Sequence, residues 1–260
     1  MLEIDQVSLD YGDAPAVKNV SLQVLSGEIV GIVGESGSGK STLIRSILDI
    51  GSGNCHMTHG EIRFDGQKVD FCDKRQMKSL RGKDISMIFQ NAEITMDPLC
   101  RIENIFLETL RCHKKTSRAA SREIAIETLR NLMLPEPEKI LKSYPFELSG
   151  GMCQRVAIGI AMLHTPKLLL ADEPTSALDV TVQNQVMELM LKMRETKNTA
   201  ILIVSHNMGV IAKMADKVGV MYHGELIEWG SKEDVLYHPK EDYTKHLIKC
   251  VPKMLNGGQS

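Results

Sequence analysis

The sequence predicts an α/β fold with a mainly parallel sheet, an antiparallel β portion near the N-terminus and an inserted helical block. Three observations predict it. Apolar runs of strand length, Ile29-Val30-Gly31-Ile32-Val33, Leu168-Leu169-Leu170-Ala171 and Ile201-Leu202-Ile203-Val204, read as parallel strands covered on both faces. The first of them runs straight into a glycine-rich loop that opens a helix. Between residues 91 and 165 the pattern turns helical, broken by Pro135, Pro137 and Pro145.

The elements follow in order. Leu2-Glu3-Ile4 alternates, and Val20-Ser21-Leu22-Gln23-Val24 alternates more cleanly, as half-buried strands do. The helix after the glycine-rich loop carries Leu43, Ile44, Ile47 and Leu48 at helical spacing. Gly60-Glu61-Ile62-Arg63-Phe64-Asp65-Gly66 is a short strand between turn residues, and Ile85-Ser86-Met87-Ile88-Phe89 is another, ending at Gln90. Segments 102–112, 119–134 and 150–163 are helices, and 179–196 is a helical crossover between two parallel strands. Val218 to Tyr222 and Glu225 to Glu228 flank His223-Gly224 as a hairpin. The last 20 residues read as a short helical tail. The chain thus divides into 1–90, a first part of the core with the antiparallel portion; 91–165, the helical insertion; 166–235, the rest of the core; and 236–260, the tail.

Bulk properties narrow the function. With 260 residues and a formal charge of -2, there is a sizeable core and no basic field for nucleic acid. The run Lys114-Lys115-Thr116-Ser117-Arg118 is a solvated turn. No apolar stretch reaches the length of a membrane span and the N-terminus is no signal peptide, so a soluble, cytosolic chain is expected, its membrane role coming through partners. The six cysteines form no C-x-x-C pair. Cys55-His56-Met57-Thr58-His59 hints at metal-ligand spacing, but reads as an exposed connection in a Gly/Ser/Asn-rich loop.

Four core strands end at polar residues: Val33 at the glycine-rich loop, Phe89 at Gln90, Ala171 at Asp172-Glu173, and Val204 at Ser205-His206. Ligands of open α/β sheets bind at the carboxyl ends of the strands, so these endings converge on one expected site. Gly34-Glu35-Ser36-Gly37-Ser38-Gly39-Lys40-Ser41 is a complete P-loop between strand and helix. Its N–H groups from Ser38 to Ser41 surround a β-phosphate, Lys40 reaches the β and γ oxygens, and the Ser41 hydroxyl ligates Mg²⁺. Asp172, at a strand end, holds Mg²⁺ through water, and Glu173 beside it is the candidate general base. Ser149 is the N-cap of a helix to about Leu163, and Gly150 and Gly151 leave its backbone bare for a second phosphate contact. That motif either folds back in cis or serves a second copy. Tyr11 is placed in a turn, where it either stacks on an adenine or is simply packed.

In this order the set resembles the nucleotide-binding subunit of ABC transporters, over nearly the whole chain from Tyr11 to about Trp229. The resemblance implies a P-loop NTPase (RecA-like) core with an antiparallel β subdomain and an inserted helical subdomain. It makes Tyr11 the A-loop aromatic, residues 34–41 the Walker A, Gln90 the Q-loop and 148–152 the signature. Residues 168–173 become the Walker B with catalytic Glu173, Ser176-Ala177-Leu178-Asp179 the D-loop, and His206 the catalytic switch. It extends the nucleotide-binding set to Ser36, Gly37, Thr42 and Asp179, and adds Gln90 to Ser41 and Asp172 around Mg²⁺. It also implies two ATPase subunits packed head to tail, with Ser149, Gly150 and Gly151 of one closing over the γ-phosphate held by the other. Segment 91–103 then meets a permease helix.

A narrower resemblance lies in Met152, where the general family has Gln, followed by Gln154-Arg155, and in the tail His238-Pro239, Asp242-Tyr243-Thr244-Lys245 and Val251-Pro252. These look like the peptide/nickel importer ATPases. The resemblance implies ATP and Mg²⁺ as cofactors, a second ATPase that is a different chain or an identical one, two membrane permeases, and an extracytoplasmic binding protein acting indirectly. It places the chain at the cytoplasmic face of the membrane. With only Cys250 in the tail, no iron–sulfur cluster is expected, and Cys153 stands where relatives commonly have Arg. The alternatives are a soluble or phosphonate-metabolism ABC-type ATPase uncoupled from transport, and a non-hydrolysing regulatory module, against which Glu173 and His206 argue.

Overall fold

The computed structural model describes residues 1–51, 54–176 and 178–249. Ala177 of the expected D-loop, Cys250 and Val251-Pro252 lie outside the described residues. From the N-terminus come β1 (Leu2–Tyr11), β2 (Ala14–Val24), β3 (Ile29–Val33), α1 (Lys40–Ser46), β4 (Cys55–Phe64), β5 (Gln67–Lys68), α2 (Lys74–Leu80) and β6 (Ile85–Ile88). The helical stretch follows as α3 (Ala92–Thr95), α4 (Ile102–His113), α5 (Arg118–Asn131), α6 (Pro137–Lys142), a 3₁₀ turn (Pro145–Glu147) and α7 (Gly150–Ala161). Then come β7 (Leu168–Asp172), α8 (Val180–Lys197), β8 (Ala200–Val204), α9 (Met208–Met214), β9 (Lys217–Tyr222), β10 (Glu225–Ser231), α10 (Lys232–Tyr237) and α11 (Asp242–Lys249).

The chain forms two compact units, residues 1–77 with 200 onward, and residues 78–199. In the first unit β1 pairs antiparallel with β2 and β4, and β5 extends that sheet beside β4. A second sheet has β3 parallel to both β8 and β9, with β10 antiparallel to β9. Every residue of β3 and β8 is buried, which explains their unbroken apolar sequences. The His223-Gly224 hairpin is observed, with Glu225 opposite Tyr222 and positive φ at both turn residues (46° and 86°), the signature of a tight two-residue turn.

In the second unit β6 lies parallel to β7, Ile88 opposite Ala171. Phe106 of α4, Leu129 of α5, Leu141 of α6 and Val156 of α7 are fully buried. The three expected helices appear as α4, α5 and α7. The prolines do more than break the pattern: Pro137 starts α6 and Pro145 starts the 3₁₀ turn, because a missing N–H costs nothing at a first helical position. Arg118 opens α5 with its guanidinium 2.6 Å from Glu103. Ser117 caps that helix, its Oγ accepting from Ala120 N at 3.2 Å. Ser117→Ala is expected to lower unfolding free energy by about 1 kcal/mol, measured by urea titration.

Two expectations are corrected. Cys55 to His59 is no exposed loop but the first half of β4, drawn into the sheet by pairing with β1 from Ser8 to Tyr11. Its polar composition hid it because an edge position tolerates polar side chains that a central strand excludes. Tyr11 is not in a turn but is the last residue of β1. Among the described residues no helix is long and apolar enough to cross a membrane.

Candidate functional site

The glycine-rich loop leaves the buried end of β3 and enters α1 at Lys40. Gly39 holds φ 96°, and a Cβ there would stand 2.5 Å from Ala16 O, so only glycine fits this turn. Lys40 is only 5% exposed. Its Nζ donates to Gly34 O at 2.9 Å, Glu35 O at 2.6 Å and Ser38 Oγ at 3.2 Å, which folds the loop round a single ammonium. A buried cation ringed by loop atoms at a helix N-terminus fits a polyphosphate, whose oxygens would share the same three protons. Sequence reasoning missed the support behind the loop. Gly224 N of the β9–β10 hairpin donates to Ser38 O at 3.1 Å, and Met221 O packs directly against Gly34.

At the other end of this strand–loop–helix unit, the Tyr11 hydroxyl lies 3.4 Å from Thr42 Oγ1, with the ring part-exposed beside the first turn of α1. Ser36 and Gly37 are exposed at the loop crest, and Ser41 follows Lys40 on α1. His206 is exposed just beyond the end of β8, the strand beside β3. Ser205 N donates to Ile32 O at 3.0 Å, which fixes that exit.

The second unit brings together another group. β6 and β7 run side by side and end together, so Gln90 and Glu173 meet: Gln90 Nε2 donates to Glu173 Oε2 at 3.0 Å. Glu173 sits at φ 47°, a left-handed conformation that a glutamate seldom adopts. Asp172, the last residue of β7, is fully buried.

Ser149 caps α7, its Oγ accepting from Met152 N at 3.4 Å. Gly150 and Gly151 follow, and a Cβ on Gly151 would stand 3.0 Å from Val182 Cγ1 of α8. Close packing of two helix starts is therefore one reason for glycine here. Asp179 caps α8, its Oδ1 accepting from Val182 N at 2.9 Å. The structure adds the surroundings of two residues that the sequence singled out only by resemblance. Arg155 reaches back to Gly151 O at 3.3 Å and Met133 O at 3.3 Å, tying α7 to the end of α5. Cys153 is buried, and burial, seconded by Glu93, pushes its thiol up to about 11, so it stays protonated and fills space.

The ABC transporter family model matches residues 17–176. The chain belongs to the ABC transporter family. Along 97% of its length it is 43% identical to the probable D,D-dipeptide transport ATP-binding protein DdpD of Escherichia coli, covering 79% of that protein. Along 94% it is 41% identical to the metal-staphylopine import system ATP-binding protein CntD of Staphylococcus aureus, covering 90% of it. Among solved structures it resembles the dimeric bacterial ABC transporter cassette MJ0796, at TM-score 0.79 and 30% identity over 89% of this chain and 99% of that one. The same cassette in a post-hydrolysis state bound to ADP and Pi matches equally, at TM-score 0.79 and 29% identity over 89% of this chain and 99% of that one. As an ABC ATPase the chain binds ATP and hydrolyses it, and its β3–loop–α1 unit and β6–β7 pair are parts of a P-loop NTPase fold.

Proposed function

We propose that this chain powers an ABC importer for peptides, nickel or metal–chelator complexes, working with two permeases and a second ATPase at the cytoplasmic face of the membrane. The observation that carries this is near-full-length identity to ATP-binding proteins named for D,D-dipeptide transport and metal-staphylopine import. In this reading 91–165 is the helical subdomain bearing the signature, inserted between core segments 1–90 and 166–235, with 236–260 as the tail.

The residues take these roles. Lys40 and the N–H groups of the loop from Ser36 to Thr42 hold the β- and γ-phosphates, and Tyr11 supports the base. Ser41, Gln90 and Asp172 offer hydroxyl, amide and carboxylate oxygens, a hard donor set that suits Mg²⁺. Bound Mg²⁺ would neutralise phosphate charge. Glu173 accepts the proton of the attacking water, and His206 helps position that water. The Gln90 amide donates to Glu173 Oε2 at 3.0 Å, so a Gln90 that turns to the phosphate side would release the base. Ser149, Gly150 and Gly151, with Asp179, serve the nucleotide of the neighbouring ATPase.

Two experiments test this. Deleting the gene should abolish ATP-driven uptake of a labelled dipeptide or of chelated nickel; undiminished uptake of both would sink the importer reading. Ser149→Arg should leave ATP binding by the single chain unchanged while abolishing the ATP-dependent dimer in sedimentation. A normal dimer from that variant would remove Ser149 from the closing surface.

A further inference from the structure

Far from the nucleotide motifs in sequence, Tyr243 of α11 reaches the P-loop. Its hydroxyl accepts the N–H of Glu35 at 3.1 Å across 208 residues of chain. The carbonyl of the same residue, Glu35 O, accepts Lys40 Nζ at 2.6 Å. The N-terminal half of the loop is thus gripped on both sides: one hydrogen bond from the tail helix, one from the loop's own lysine.

The hydroxyl is held in place by packing. Tyr243 is half-buried, its ring centroid 4.2 Å from that of Tyr222, and Tyr222 in turn meets His223 edge-on at 4.1 Å. These two belong to the β9–β10 hairpin whose Gly224 also holds Ser38 O. Glu228 of β10 accepts Lys240 N at 2.8 Å and Glu241 N at 3.3 Å, which anchors the start of α11 against the same hairpin. Thr244, next to Tyr243, is fully buried and seats the helix. Hairpin and tail helix together support the loop through two polar contacts, Gly224 N to Ser38 O and Glu35 N to this phenol.

We infer that Tyr243 is a positioning residue for the P-loop: it fixes the Glu35 peptide so that Glu35 O and Gly34 O aim Lys40 before ATP arrives. The energetic logic is preorganisation. A loop ordered by the fold does not have to be ordered by the ligand, so nucleotide affinity rises without any contact between Tyr243 and nucleotide. Chemistry at the γ-phosphate is untouched, because Glu173 and His206 do not depend on this contact. The inference rests on the reading of Gly34 to Ser41 as the triphosphate loop.

The test is ATP titration and steady-state turnover of the full chain. Tyr243→Phe keeps the ring and removes the hydroxyl. It should weaken ATP binding and raise KM by about three- to tenfold, the span of one neutral hydrogen bond, with kcat and melting temperature unchanged. Glu35→Pro deletes the matching N–H and should give the same loss. The double variant should be no worse than either single one, since both remove one bond. Unchanged affinity in Tyr243→Phe, additive losses in the double variant, or a fall in kcat and melting temperature instead of affinity would each overturn the inference. Lys40→Ala reports on the underlying reading separately. If it binds ATP normally, the loop assignment itself fails; if it loses ATP while Tyr243→Phe keeps full affinity, the positioning role alone fails.

Discussion

Glu173→Gln is expected to bind ATP as tightly as the unaltered chain and to hydrolyse it about 10²- to 10⁴-fold more slowly, the range that a positioned general base contributes. The substitution is nearly isosteric, so the left-handed backbone at φ 47° is strained to the same degree before and after. The partner can stay too, because Gln90 Nε2 can still donate to the amide oxygen that replaces Glu173 Oε2. Fold and nucleotide cradle are therefore preserved while the proton acceptor is lost. Phosphate release and ATP binding measured on the same preparation separate the two effects. Turnover at the original rate would take Glu173 out of the base role. A joint loss of binding and turnover would point to damage at the end of β7 rather than to chemistry.

Lys40→Ala should act on the opposite term. The Nζ makes three hydrogen bonds inside the loop, at 2.6 to 3.2 Å. With nucleotide bound, those protons go to phosphate oxygens as charge-assisted bonds, each worth about 1.5–3 kcal/mol. Losing them should weaken ATP binding by about 10- to 100-fold or more, at 1.4 kcal/mol per tenfold. Because the lysine also ties Gly34 O and Glu35 O together, a modest fall in melting temperature is expected alongside. Equilibrium dialysis with labelled ATP gives the affinity, and circular dichroism gives the stability. An affinity within twofold of the original would be incompatible with a P-loop at 34–41.

These two experiments probe features with different visibility in the sequence. The P-loop was legible because its function is local: consecutive glycines, a lysine and a serine between a strand and a helix define the cradle. The cap at Ser149 was legible for the same reason, its side chain bonding three residues ahead; the equivalent cap at Asp179 emerged only with the structure. The parallel strands were legible because burial on both faces keeps β3 and β8 apolar throughout and β7 apolar up to its terminal Asp172. The first half of β4 was not: a strand with polar positions on an antiparallel sheet takes its identity from the neighbour it pairs with, here β1.

By itself, then, the sequence determined the chemistry available: an ammonium, adjacent carboxylates, a strand-terminal histidine and a capped helix start, each set by residues close together in the chain. Tertiary structure alone decided which of these groups hold one another. Gln90 grips Glu173 across 83 residues because β6 and β7 are parallel neighbours that end together. Gly39 must be glycine because β2 passes behind it at Ala16. Tyr243 reaches Glu35 because the tail helix packs on a hairpin that also supports the loop. The physical reason is one of range. Propensity, capping and backbone nests act over a few residues, whereas the partner of a buried or loop-held group is fixed by packing, which brings together residues the chain keeps far apart.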